Sequence, residues 1–349
     1  MKESLNDIAR ALVALHKGLL AADESTKSAA KRFEALGIPC DEETRRQYRQ
    51  LLITTPGIEQ YLSGVIFYDE TIRQQTDDGV LFPKYLESHN IIPGIKVDKG
   101  LVPLDNFKDE TITEGLDGLA DRLKEYYSLG ARFAKWRAAF KVDAAAHLPS
   151  KGALHANLHT MARYAAMCQT VGIVPIVEPE VLYEGSHTIT EAKEATRAAI
   201  GLLMAMLQAY RVDLTGTILK TSMVLAGKQT DTPSKPEEVA QATLEVLHAA
   251  VPKELAGIVF LSGGQTPEQV RNNLQAVGAR GEQPWPITFS FSRAVQDPAM
   301  QAWAGKAENV KNAQEIYLGL TRDNAQARHG EYGGNGTVAG DFVSQTQDA

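Results

Sequence analysis

Lys220 stands directly after a run of β-branched and apolar residues in "GTILKTSMV" (216–224), and an amine in that setting needs a reason. Removed from water, a lysine either loses its proton or acquires a partner, because desolvation penalises the charged form. Lys220 is therefore either a strand-end side chain reaching back to solvent or a nucleophile. Other short apolar runs close in the same way, on Asp23, Asp69, Lys96, Lys135 with Arg137, Glu178 with Glu180, Ser262 with Gly263, and Ser290 with Arg293. Along a strand, residues i and i+2 share a face, so Lys135 points with Arg137 and Glu178 with Glu180. Successive strands then offer a lysine, a carboxylate and a second lysine to one another. An amine beside another cation, in a partly apolar pocket, has its neutral and nucleophilic form favoured, and Lys220 with Lys135 nearby fits that setting. The turns "LSGG" and "SFSRA" form a second group. Glycine lets backbone N–H groups approach an anion and Arg293 adds a charged fork, a combination that suits phosphate.

The elements that must hold these residues are legible as short apolar runs at 18–25, 63–70, 91–98, 131–137, 172–180, 216–222, 257–264 and 287–293. Several are almost continuously apolar, as strands covered on both faces are. Segments of helical period lie between them, such as "LHTMARYAAMCQT" (158–170) and "TEAKEATRAAIGLLMAMLQAYR" (190–211). Strand and helix in alternation predict a parallel sheet. About eight such units in 349 residues fit a closed (β/α)₈ barrel, in which the C-terminal strand ends converge on one mouth. A doubly wound open sheet is the competitor; no G-x-G-x-x-G follows the first strand. No Pro- or Ser-rich linker divides the chain, so one barrel domain is expected over 1–320, followed by a polar, Gly-rich mobile tail over 321–349.

A formal net charge of −7 argues against nucleic acid as the main partner and makes any phosphate site a local one. Cys40 and Cys168 alone cannot make a disulfide framework, and a cytoplasmic protein is the plain reading. The first residues space Ile8, Leu12, Leu15 and Leu19 at helical intervals with charges between them, unlike a signal peptide, and no apolar run is long enough to span a bilayer. "HANLH" sets His155 and His159 four apart, as two metal ligands on a helix would be. Without the glutamate of H-E-x-x-H, or a nearby cysteine or third histidine, a surface pair and no metal are expected. Plainer readings exist for each chemical candidate. The Lys220 stem could lie along apolar surface, and Lys135, Arg137 and Glu178 could be a structural ion-pair network. "LSGG" could be an ordinary turn, and Pro179 in "VEPE" could end its strand by removing a ladder donor. Such readings have to be invoked separately at strand after strand, whereas one shared mouth accounts for them together.

The words "LAADEST", "DDGVLFP", "GIKVDKG", "FAKWR", "VPIVEPE", "LK" before "SMVLAG", "FLSGGQ" and "TFSFSRA", in that order over residues 10 to 320, closely resemble class I fructose-1,6-bisphosphate aldolase, the Schiff-base type. The resemblance implies a (β/α)₈ fold and no metal or cofactor. It also implies reversible cleavage of fructose 1,6-bisphosphate to dihydroxyacetone phosphate and glyceraldehyde 3-phosphate, and a homo-oligomer, often a tetramer. By the same resemblance Lys220 is the Schiff-base lysine, and Asp23 takes the proton of the C4 hydroxyl. Glu178 shuttles protons through carbinolamine formation and dehydration, a task for a carboxylic acid. Lys135 holds the neighbouring hydroxyl and charge, and Arg137 and Glu180 fill adjoining positions. Ser262, Gly263, Arg293 and the backbone N–H of Ser292 match the ketone-side phosphate site, and Ser25, Ser28 and Lys96 match contacts to the other phosphate. The chain departs from the common pattern with Thr221 and Ser222 after the lysine, where proline and asparagine are frequent, and with Phe291 and Ser292, where tyrosine and glycine are common. It ends in "TQDA", not in the tyrosine implicated in enamine protonation in animal members; Tyr332 is the one tyrosine of the tail. Another Schiff-base barrel, such as a transaldolase or a monophosphate-preferring aldolase, would keep Lys220 but change the second phosphate site. A catalytically silent scaffold would have no reason to keep Asp23, Lys135, Glu178 and Lys220 together.

Overall fold

A computed structural model of the chain describes residues 4–334. Its strands are β1 (Gly18–Ala22), β2 (Leu62–Phe67), β3 (Ile92–Lys96), β4 (Leu101–Pro103), β5 (Thr111–Thr113), β6 (Phe133–Phe140), β7 (Val174–Val181), β8 (Ile218–Thr221), β9 (Gly257–Phe260) and β10 (Ile287–Phe291). Eight of them close into a barrel in the order β1-β10-β9-β8-β7-β6-β3-β2, every neighbouring pair parallel. The open-sheet alternative is thereby excluded. The short antiparallel pair β4–β5, which the sequence reading did not resolve, stands outside the barrel and follows β3.

Side-chain alternation divides the strands between two apolar layers. Leu20, Val65, Phe67, Trp136, Val177, Leu219, Ile258 and Phe260 face outward into the large core beneath the helices. Leu19, Ala21, Ile66, Phe133, Val174, Ile176, Ile218 and Val259 face inward and fill the barrel. Gly94 makes room for the Phe133 ring, since a Cβ built on it would lie 2.3 Å from that ring. The same inward faces continue toward the C-terminal strand ends as Asp23, Lys135, Glu178 and Lys220, so a period-two pattern that is apolar below becomes ionisable above.

Each outer helix returns the chain with local chemistry suited to its ends. Lys151–Val171 begins at Ser150, whose side chain accepts from the Ala153 N–H, and stops at Gly172 in the left-handed region, φ 88°. Ile189–Ala209 opens on a capping box between Thr188 and Glu191. No described helix is long and apolar enough to cross a membrane.

Two local expectations shift. The helical spacing read from Ile8 to Leu19 overruns its element: the helix is Leu5–Leu12, Leu15 is 72% exposed and Leu19 lies in β1. The helix closes the N-terminal end of the barrel with Ile8, Leu12 and Val13, and a turn with His16 at φ 60° must then lead into β1. Pro179 does not end its strand; β7 runs on to Val181. The β7–β8 ladder registers at Ile176 and Val177, before the proline, so no ladder bond there is lost to it.

The last helix, Val310–Ala327, crosses the expected tail boundary at 320 with Thr321, Asn324 and Ala327 buried. Arg328 then donates to the Ala14 carbonyl at 2.6 Å and the Lys17 carbonyl at 2.9 Å, so the first part of the expected tail packs on the barrel. Tyr332 lies 4.4 Å from the Arg271 guanidinium, ring centroid to Cζ. The rest of that tail, 335–349 including "TQDA", lies outside the described residues.

Candidate active site

Glu178 is the hub of the mouth. Its Oε1 lies 3.1 Å from Lys220 Nζ and its Oε2 3.0 Å from Lys135 Nζ, and Lys135 Nζ in turn lies 2.7 Å from Asp23 Oδ2. The lysine, carboxylate, lysine order across neighbouring strands is the one expected from strand parity, because the ladder that pairs Lys135 with Ile176 sets Glu178 one step above it. All four side chains are buried, Lys220 at 3% exposure and Glu178 at 3%. Two positive and two negative charges therefore sit together out of water, a pairing that such burial requires.

The two lysines are not equivalent. Lys135 is held between two carboxylates: burial opposes its charge, but Asp23 and Glu178 outweigh burial and raise its pKa above the ordinary lysine value. Lys135 is thus fixed as an ammonium ion. Lys220 meets one carboxylate oxygen. Burial pushes the Asp23 carboxyl up, yet Lys135 and Lys220 together hold it well below the usual carboxylate range. Glu178 is lowered in the same way, burial opposing and Lys135, Lys220 and Arg137 prevailing. Asp23 Oδ2 and Glu178 Oε2 both meet the Lys135 ammonium at ion-pair distance, and both oxygens are buried.

Arg137 and Glu180 form an adjoining pair, Nε to Oε2 at 2.5 Å. Lys96 is tied to Asp98, at 2.5 Å to the carboxylate and 3.0 Å to the carbonyl. Ser25 caps the helix Thr26–Glu34 by accepting from the Ser28 N–H, and the two hydroxyls lie 3.1 Å apart, Ser28 being exposed. After β9, Ser262 is buried, and Gly263 and Gly264 take φ +58° and +91°, a left-handed pair that glycine adopts without penalty. Arg293 opens the helix after β10, and its guanidinium lies beside Gly264, Nη2 3.5 Å from where a Cβ would stand. Ser292 immediately precedes it. The departures beside Lys220 are accommodated: the Ser222 hydroxyl donates to the Val181 carbonyl at 2.8 Å and joins the ends of β7 and β8.

Not every strand-end residue joins the mouth. Asp69 turns away to Arg73 at 2.9 Å and accepts from the Tyr126 hydroxyl at 2.9 Å. Ser290 is buried in β10, its hydroxyl without a hydrogen-bond partner among the described residues. His159 rests edge-on against the Tyr210 ring, and among the described residues no group of three or more His, Cys, Asp or Glu is disposed to hold a metal. Two acids that sequence reasoning passed over are close by. Asp98 is buried, pairs with Lys96 and accepts from the Gly100 N–H at 3.1 Å. Glu24 sits between Asp23 and Ser25, paired with Arg32, with Arg49 at 2.7 Å, and accepting from the Ser292 hydroxyl at 2.8 Å. Adjacency to Asp23 was the available signal for Glu24; Arg32 reaches it from the next helix and Arg49 from the one after.

A family model described as fructose-bisphosphate aldolase class-I matches residues 4–347. A probable fructose-bisphosphate aldolase class 1 of Xanthomonas axonopodis pv. citri is 49% identical over 95% of this chain and 99% of its own length. The fructose-bisphosphate aldolase of Dictyostelium discoideum is 44% identical over 93% of this chain and 92% of its own. Among solved structures, fructose-bisphosphate aldolase from Plasmodium falciparum superposes with a TM-score of 0.93 at 43% identity, covering 95% of both chains.

Proposed function

Since the chain belongs to the class-I fructose-bisphosphate aldolase family, we propose that Lys220 is its Schiff-base nucleophile and that Glu178, Asp23 and Lys135 carry the proton transfers around it. The protein is an aldehyde-lyase that cleaves fructose 1,6-bisphosphate reversibly to dihydroxyacetone phosphate and glyceraldehyde 3-phosphate. The observation that carries the residue assignment is the single carboxylate bridging two buried lysines at 3.0 and 3.1 Å.

Transfer of one proton from Lys220 Nζ to Glu178 Oε1 leaves an uncharged amine and a carboxylic acid. The amine adds to the C2 ketone of the sugar, and the acid returns the proton to the carbinolamine hydroxyl, which departs as water to leave the iminium. Asp23 enters ionised and accepts the C4 hydroxyl proton. The C3–C4 bonding pair then flows into the iminium as an enamine, and the aldehyde product leaves. Protonation at C3 and hydrolysis of the iminium release the ketone product and free Lys220. Lys135, kept cationic throughout, steadies the charge on Asp23 and Glu178 as they change state. A positioned acid or base of this kind contributes roughly 10²–10⁴-fold in rate.

Ser262, Gly263, the Ser292 N–H and Arg293 receive the ketone-side phosphate in this reading, and Ser25, Ser28 and Lys96 the other, with Arg137 and Glu180 lining the space between. A homo-oligomer and a cytosolic setting accompany the assignment; two of the plant relatives are named as cytosolic. Borohydride reduction in the presence of dihydroxyacetone phosphate, followed by peptide mapping, tests the core of it. Added mass is expected on Lys220, and label elsewhere or nowhere removes the Schiff-base assignment. Arg293→Ala is expected to raise KM with a much smaller change in kcat, whereas Lys220→Ala abolishes turnover.

A further inference from the structure

Ser292 occupies the N-cap position of the helix Arg293–Trp303, where a serine ordinarily accepts a hydrogen bond from the second or third N–H of the helix. Here its side chain makes no capping hydrogen bond. The Ser292 hydroxyl donates to Glu24 Oε1 at 2.8 Å and accepts from Gln296 Nε2 at 3.2 Å. The capping group has been drawn sideways; the Val295 N–H turns back to the Ser292 carbonyl at 3.1 Å, and the Arg293 and Ala294 N–H groups keep their capacity for an anion.

The acceptor is firmly anchored. Glu24 Oε1 is shared with Arg32, Oε2 faces Arg49 at 2.7 Å, and Arg32 also pairs with Asp297 of the same helix at 2.5 Å. Gln296, fully buried one turn on, donates to the Ala21 carbonyl at 2.6 Å and accepts from Tyr48 at 3.1 Å. The start of the helix is thus fastened twice to the same stretch, through Gln296 to Ala21 in β1 and through Ser292 to Glu24 just beyond it. With both Glu24 oxygens engaged, no carboxylate among the described residues lies within ion-pair distance of Arg293, whose guanidinium stays by Gly264.

We propose that the Ser292 hydroxyl is a positioning residue for the ketone-side phosphate: by bonding Glu24 in place of the helix it fixes the turn that presents the Arg293 and Ala294 N–H groups and the Arg293 guanidinium, and leaves them free for the substrate. This inference rests on the phosphate assignment above and adds the side chain that prepares it. Where glycine is common, this chain places a hydroxyl that ties phosphate site to catalytic strand.

The test is the dihydroxyacetone phosphate dependence of borohydride trapping on Lys220, measured on the full chain for Ser292→Ala, Ser292→Thr and Glu24→Gln. Loss of a hydrogen bond to a charged group predicts that Ser292→Ala raises the half-saturating concentration by about tenfold, while the fraction trapped at saturation is kept. Ser292→Thr, which keeps the hydroxyl, is expected to recover most of the affinity, and Glu24→Gln to weaken it in the same direction as Ser292→Ala. Half-saturation unchanged in Ser292→Ala overturns the proposal, and so does a threonine variant as weak as the alanine one at equal thermal stability. A parent protein that is not trapped on Lys220 at any concentration sinks the functional reading itself, an outcome separate from either of these.

Discussion

At the scale of single residues, the division of labour between two buried lysines follows from how many carboxylates each one meets. Lys135 has two and stays an ammonium ion; Lys220 has one, the proton acceptor in the proposed mechanism. Glu178→Gln keeps the shape but loses the base, so the imine-forming rate at Lys220 is expected to fall by roughly 10²–10⁴, read by stopped borohydride trapping. Lys135→Met takes the ion-pair partner from Asp23 and leaves Glu178 with Lys220 alone, and a destabilisation of about 3–5 kcal/mol is expected in urea titrations. The depressed carboxyls also set a pH dependence. Stability from Asp23, Glu24 and Glu178 is fully present above their unfolded values of about 4 and is lost as pH falls through their lower folded values. Melting temperature is therefore expected to decline as the pH is taken below about 4, and Glu178→Gln to flatten that decline. Lys135 has the opposite sign, its contribution lasting from low pH until its raised folded value is passed. Of these residues the sequence exposed the quartet through ionisable strand ends and strand parity, whereas Glu24 escaped because Arg49 and Ser292 reach it through the packing of helices and loops, and Asp98 because it follows the strand end at Lys96.

At the scale of elements, the strands do two jobs with one alternation. Inward residues are apolar at the N-terminal end and ionisable at the C-terminal end, so the register that fills the barrel is also the register that assembles the site. Gly94 is the most constrained point of that interior, its absent side chain leaving space for the Phe133 ring. Gly94→Ala is expected to destabilise the fold by about 1–3 kcal/mol through overpacking, and to lower kcat by moving Lys135, two residues beyond Phe133 on the same face. Calorimetry and steady-state kinetics on one sample read both. Helix interiors were legible from their period, but the first helix shows the limit: Leu15 and Leu19 continue its spacing although the chain has already turned. Periodicity cannot register a turn that keeps step with the pattern.

At the scale of the whole molecule, closure matters most, since a carboxylate after β1 and a lysine on β6 touch only when the sheet meets itself. The N-terminal helix seals the opposite end of the barrel with Leu12 at 0% exposure. Leu12→Ala is expected to cost about 2–5 kcal/mol of stability while leaving the KM for fructose 1,6-bisphosphate in place, because the cavity opens far below the mouth. A matching shift in KM would mean that the two ends of the barrel are coupled. The chain by itself determined the alternation of strand and helix, the family likeness and the ionisable strand ends, because these are written in local period and in contiguous words. Only the tertiary structure decided that Asp69 leaves the site, that Asp98 and Glu24 belong beside it, and that Ser292 bonds across to Glu24 instead of capping its own helix. Those outcomes depend on contacts between segments as far apart as residues 24 and 292, and such contacts are chosen by the closure of the barrel and by burial, neither of which leaves a mark in local spacing.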